Sequence, residues 1–149
     1  MTTFYIDADA CPVKDEVYRV AARYRVSVFV VSNSWMHVPA DEAITRIVVD
    51  GGPNAADDWI AERARKGDVV VTADIPLADR ALKASAQVIH PAGRAFTSDS
   101  IGGALASRMI GEHLRSIGEI TRGPKPFTAA DRSRFLQALD AAVLRARRL

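Results

Sequence analysis

Phe4-Tyr5-Ile6-Asp7-Ala8-Asp9-Ala10-Cys11-Pro12 decides how the rest of this chain is read. A short apolar run ends in two carboxylates. A proline then falls where a first helical turn accepts it, because the missing N–H has no intrahelical partner there. The pattern predicts a strand over 4–6 and a helix through about Tyr24. On that helix Val17, Val20, Ala21 and Tyr24 share one face at helical spacing. Further on, Val26 to Val31 is a continuous, β-branched apolar run, as expected of a strand covered on both faces. Ile47-Val48-Val49 is a second such run, stopped by Asp50-Gly51-Gly52-Pro53.

Asn54 is placed to cap a helix that runs to about Lys66 and stops at Gly67. Val69-Val70-Val71 then leads into Thr72-Ala73-Asp74, and a helix is expected over Pro76 to Ala84. Gln87-Val88-Ile89 forms the last strand, before the turn His90-Pro91-Ala92-Gly93. A longer helix is expected from Ser98 to about Ile117, with Ile101, Leu105, Met109 and Leu114 inward and Gly102-Gly103 allowing close packing. After Gly123-Pro124-Lys125-Pro126, Thr128 caps a final helix with the stripe Phe135, Leu139, Val143. Strands alternating with helices imply an α/β fold of three layers, with helices on both faces of a central, mostly parallel sheet and a C-terminal helix added.

The 149 residues suit one domain, with a core over about 1–121 and a basic helical segment over about 122–149. Hydrophobic residues at 48% and charged residues at 26% fit a globular protein rather than a disordered one. No apolar run approaches the roughly 20 residues needed to cross a bilayer. The N-terminus lacks a signal-peptide pattern, and one cysteine excludes an internal disulfide, so a cytoplasmic location is expected. From Arg122 onward seven Lys or Arg stand against two Asp, whereas residues 1–121 carry 13 against 16 acids. An acidic body with a basic tail fits metal binding at one place and phosphate binding at another, although a solvated helix face has the same composition.

Asp7, Asp9, Asp50 and Asp74 all follow strands, and ligands of open parallel sheets bind beyond the strands' carboxyl ends. Asp7 and Asp9, two apart, share a side if the strand stays extended. Asp residues also serve simply as turn formers and caps. Asp57 is more informative. Its neighbours at +3, +4 and +7 are Ile60, Ala61 and Ala64, so it sits on the packed side of its helix unless it caps the helix itself. Asp58 lines up instead with Glu62 and Arg65 on the solvated side. Oxygen ligands without His or Cys suit one or two Mg²⁺ or Mn²⁺ ions, which activate water and neutralise charge on a phosphoryl group. His37, His90 and His113 show no metal spacing and read as surface or packing residues, and Cys11 reads as a small packing residue.

Asp7 ending the first strand, Asp57-Asp58-Trp59-Ile60 opening a helix and Thr72-Ala73-Asp74 after a strand together resemble the acidic signature of PIN-like nucleases. Three stretches are more specific: Tyr5 to Lys14, Gly52 to Asp58, and Arg122-Gly123-Pro124-Lys125-Pro126-Phe127. These resemble the uncharacterised bacterial YaiI/YqxD family, which is grouped with PIN-like domains, over nearly the whole chain. The resemblance implies a metal-dependent nuclease, RNA favoured, with Asp7, Asp57 and Asp74 as catalytic acids. The same three would hold metal. From their own positions Asp9 and Asp79 are further candidate metal ligands. Lys14 is a candidate for substrate phosphate or equally an ordinary exposed lysine, and Arg94 is a weaker candidate of the same kind. One departure stands out. Many PIN-like relatives place a further acid two residues after the one matching Asp74, where this chain has Pro76. Either Asp79 or Asp99 substitutes, or the site holds a single ion.

Two rival readings stay open at this level. Asp-x-Asp after an apolar strand also opens haloacid-dehalogenase-type phosphatases. There Asp7 would be the nucleophile, Asp9 the acid/base, Ser32 the phosphate-binding hydroxyl, Lys66 the required lysine, and Asp74 with Asp79 the Mg²⁺ ligands. The other rival is a non-catalytic nucleic-acid-binding module, using the basic tail (Arg132, Arg134, Arg145, Arg147, Arg148) and Trp35 as a base platform.

Overall fold

In the computed structural model, which describes residues 2–52, 54–102 and 127–148, five strands form one sheet in which every neighbouring pair is parallel. The elements in chain order are β1 (Thr3–Asp7), α1 (Lys14–Tyr24), β2 (Ser27–Ser32), β3 (Ile44–Val48) and α2 (Ala55–Arg63). They continue with β4 (Val69–Val71), α3 (Ile75–Lys83), β5 (Gln87–Ile89) and α4 (Ala129–Arg147). The sheet order is β3-β2-β1-β4-β5, so the strand order reverses between β1 and β4. That reversal is the switch point at which α/β sheets open a crevice beyond their strand ends.

Alternation along the strands divides the core into two layers. Phe4, Ile6, Val28, Val30, Val69, Val71 and Ile89 face α1 and α4. Tyr5, Val31, Val70 and Val88 face α2 and α3. Successive strand residues point to opposite faces, so Asp7, two after Tyr5, belongs to the α2–α3 side. On that side Tyr5 stacks on Phe29 with centroids 5.5 Å apart, and Trp59 of α2 tilts against both rings. The aromatic cluster and fully buried Ile60 seat α2 on the sheet.

Helix α4 is part of the core. Phe135, Leu139 and Val143 are fully buried as the stripe predicts, and truncating a buried Phe to Ala costs about 3–5 kcal/mol. Thr128 and Asp131 form a reciprocal capping box at its start. Ion pairs Arg132–Glu16 (3.1 Å) and Arg23–Asp140 (2.9 Å) join it to α1.

Several boundaries differ from expectation. β3 begins three residues before Ile47, because Val28 and Phe29 pair with Ile44 and Thr45 although the run there is not uniformly apolar. α2 ends at Arg63, with Ala64 already extended (ψ 134°), so Gly67 lies beyond the helix end. Asn54 precedes α2 but makes no side-chain cap; its backbone is already near-helical (ψ −1°), which turns the side chain away from the open N–H groups. The helix expected from Ser98 is visible as a turn over 98–102 with Ile101 buried. Its continuation, with Leu105, Met109 and Leu114, and the 123–126 linker fall outside the described residues.

Candidate functional site

The acids collect where the strand order reverses. Asp7, Asp9, Asn33, Ala56, Asp57, Ala73 and Asp74 line one cleft of about 320 Å³. Four carboxylates arrive there from different pieces of backbone: the end of β1, the turn after it, the first turn of α2 and the start of α3. Asp9 reaches the cleft by a route other than the one expected. The strand stops at Asp7 and a 3-10 turn, Ala8–Ala10, carries Asp9 round, where its Oδ2 accepts the N–H of Asn33 at 2.9 Å.

Thr72 is the organiser that sequence reasoning passed over. It is buried, its hydroxyl donates to Asp7 Oδ2 at 2.8 Å, and its oxygen accepts the N–H of Asp74 at 3.0 Å. The signal was present in its position, directly after a buried strand and two before an acid. Asp74 caps α3 by accepting the N–H of Leu77 with Oδ1 at 2.8 Å. The cap reading is therefore correct for Asp74, and it coexists with a place in the cleft. Asp57 faces the packed side, and among the described residues its carboxyl has no hydrogen-bond donor. Asp58 is exposed and pairs with Arg80 of α3 at 2.7 Å.

The electrostatics follow from this crowding. Burial raises the Asp7 carboxyl above the usual range, helped by Asp74 and Asp9 and opposed by the Thr72 hydrogen bond. Burial likewise pushes Asp57 up to about 6, with Asp74, Asp7 and Asp58 adding repulsion and Arg80 offsetting some of it. The donors are hard oxygens, the right type for Mg²⁺ or Mn²⁺. Their spacing is another matter. Among the described residues no three His, Cys, Asp or Glu side chains are arranged to hold a metal ion.

Other candidates lie elsewhere. Asp79 pairs with Lys83 one turn along α3 at 2.9 Å, outside the lining of the cleft. Asp50 and Asp99 are exposed and do not line it either. The Lys14 ammonium donates to the carbonyls of Cys11 (2.8 Å) and Ala8 (3.2 Å), so it braces the β1–α1 turn. Cys11 is buried in the core, as a packing residue should be. Ser32 is fully buried and its hydroxyl donates to the Ser34 carbonyl, while Lys66 precedes β4 at the opposite end of the sheet. The phosphatase constellation is therefore not assembled.

A second cleft, of about 610 Å³, adjoins the acidic one and shares Ala73 with it. Pro12, His90, Gly93, Arg94, Phe127 and Arg134 are among its walls. His90 packs edge-on against Phe96, with ring centroids 5.9 Å apart, as a packing residue should, and it also lines this cleft. The basic tail is divided by the fold. Arg134 lies near the start of α4 beside this cleft, whereas Arg145 donates to Gln87 at the start of β5, at the far end of the sheet.

Residues 5–145 match the protein family described as "Uncharacterized BCR, YaiI/YqxD family". A UPF0178 protein of Caulobacter sp. (strain K31) is 70% identical over the whole chain and 99% of its own length. Its counterpart in Caulobacter vibrioides (strain NA1000 / CB15N) is 66% identical over 99% of the chain and 97% of its own length. One from Azorhizobium caulinodans is 58% identical over 98% of the chain and 92% of its own length. No solved structure matches the chain. An acidic crevice at the switch point of a parallel sheet is therefore a feature of a member of the YaiI/YqxD family, to which this chain belongs.

Proposed function

We propose that this protein is a divalent-metal-dependent phosphodiesterase acting on nucleic acid, with RNA as the favoured substrate. One observation carries the reading: Asp7 and Asp9, Asp57, and Asp74, from three separate stretches of chain, line a single cleft at the sheet's switch point. Desolvated carboxylates brought together without a compensating cation cost free energy, which either a proton or a bound cation relieves. Mg²⁺ or Mn²⁺, when bound, supplies charge neutralisation and a coordinated water of lowered pKa. Asp7, Asp57 and Asp74 are the acids assigned to hold it, with Asp9 at the edge. They are not preformed as a three-donor cluster, so loading requires them to draw closer. Thr72 donates to Asp7 Oδ2 and so keeps that carboxyl aimed, while Asp74 is held in place by accepting the Leu77 N–H at the start of α3.

The test is calorimetric titration of Mn²⁺ into wild type and Asp7→Asn, followed by cleavage of single-stranded RNA and DNA. We expect wild type to bind Mn²⁺ and cleave, and Asp7→Asn to lose both. A wild type that takes no divalent ion, or an Asp7→Asn variant that takes it equally well, overturns the reading. Metal binding without cleavage of either polymer favours the non-catalytic module.

A further inference from the structure

The larger cleft has walls suited to something other than a metal. It is formed where the 90–94 turn after β5 meets the first turns of α4, and the contact is backbone on backbone. Gly93 has φ +93°, and a Cβ added there would lie 2.7 Å from the carbonyl carbon of Arg134 and 2.8 Å from the nitrogen of Phe135. Only glycine meets both conditions without strain. The close approach brings Arg94, from the turn, and Arg134, from α4, to the lining of one space.

The other groups are arranged around them. The Asp131 carboxylate also lines the cleft, but it is engaged by the Thr128 N–H and hydroxyl and by the Arg134 guanidinium, so it orients that arginine. His90 Nδ1 accepts the N–H of Ala92 at 2.9 Å, which assigns the ring proton to Nε2. Burial and the neighbouring Arg94 hold the imidazole below its usual pKa, so it is a neutral donor near pH 7. Phe127, packed against the core, contributes a ring to the cleft, with the Arg132 guanidinium 5.1 Å from its centroid. Cations, a neutral donor and an aromatic surface in one cleft match phosphate, sugar or base edge, and base.

We propose that this cleft is a nucleotide subsite that holds the part of a single strand flanking the scissile phosphate, with Arg94 and Arg134 on phosphate and Phe127 against a base. The shared residue Ala73, between Thr72 and Asp74, makes the two clefts neighbours, so one strand spans both. The subsite rests on the phosphodiesterase reading for its substrate, but binding through it needs no metal.

The experiment measures anisotropy of a fluorescein-labelled ten-nucleotide single-stranded RNA in EDTA against wild type, Arg94→Ala, Arg134→Ala and Lys66→Ala. Melting curves on each variant check that it folds. The two arginine variants are expected to bind about tenfold more weakly, with the salt slope reduced by about 1 each. Lys66→Ala, at the far end of the sheet, is expected within about twofold of wild type. Absence of RNA binding by wild type overturns the proposal. So do arginine variants that bind like wild type, or a Lys66 variant that loses as much. Mn²⁺ titration of wild type separates the two ideas. Arginine-dependent RNA binding without Mn²⁺ uptake sinks only the metal reading, whereas Mn²⁺ uptake with indifferent arginines sinks only the subsite.

Discussion

The acidic cleft and its larger neighbour share Ala73, yet they are built in opposite ways. In the first, four carboxylates arrive from three stretches of chain, and among the described residues only Asp7, Asp9 and Asp74 receive hydrogen bonds. In the second, the charges are mostly cationic, the histidine is neutral, and the walls are fixed by a close backbone contact at Gly93. The acidic side is strained electrostatically and the basic side is rigid sterically. A cleft that stores repulsion is poised to take up a cation, while a preorganised cationic cleft loses little on receiving an anion.

The sharpest way to break the acidic side is Asp7→Asn. It removes the carboxylate that Thr72 orients, and Mn²⁺ affinity is expected to fall about a hundredfold or more by calorimetry, in line with losing a direct ligand rather than a supporting group. Next in size is Gly93→Ala on the basic side. The new Cβ must displace α4 backbone at an unfavourable φ, so a loss of about 2 kcal/mol is expected in urea unfolding. RNA binding should fall further than Mn²⁺ affinity. Equal losses in both would show that the two clefts are mechanically one.

Thr72→Val keeps the shape of the residue but removes the hydroxyl between Asp7 and Asp74. Supporting hydrogen bonds of this kind are worth roughly tenfold in metal affinity, and the Mn²⁺ isotherm is expected to shift by about that much. Asp57→Asn is the smallest effect and has the opposite sign for stability. The folded carboxyl titrates near 6 rather than 3.8, so the native state binds the extra proton between those values. The stability it contributes is present below pH 3.8 and declines as pH rises through 6. At pH 7 without metal, Asp57→Asn is therefore expected to gain about 1 kcal/mol after allowing for solvent screening, about 3 °C in Tm. At pH 4 the gain should vanish, and a gain that persists there would remove charge as its cause.

Much of this was legible along the chain. Buried strands announced themselves as β-branched runs, and the stripe Phe135, Leu139, Val143 gave α4 its inward face. The position of Asp57 relative to Ile60 and Ala64 placed it on the packed side. The extent of β3 and the end of α2 were less legible, because pairing to β2 and the exit at Ala64 depend on neighbours far away in sequence. Asp79 was a candidate to replace the acid missing at Pro76, and Lys14 a candidate from its place early in the first helix. In the structure, however, Asp79 pairs with Lys83 and Lys14 donates to the Ala8 and Cys11 carbonyls.

By itself, then, the sequence determined the alternation of strand and helix and the placing of acids at strand ends. Both are local, written in apolar runs, turn residues and helical spacing. Only the tertiary structure decided which acids meet and which cations stand beside them. That choice follows from the strand order, which lays β4 beside β1, and from the course of α4, which brings Arg134 to the rim and leaves Arg145 at the other end. Charges many residues apart interact by distance in space, and no pattern along the chain encodes that distance.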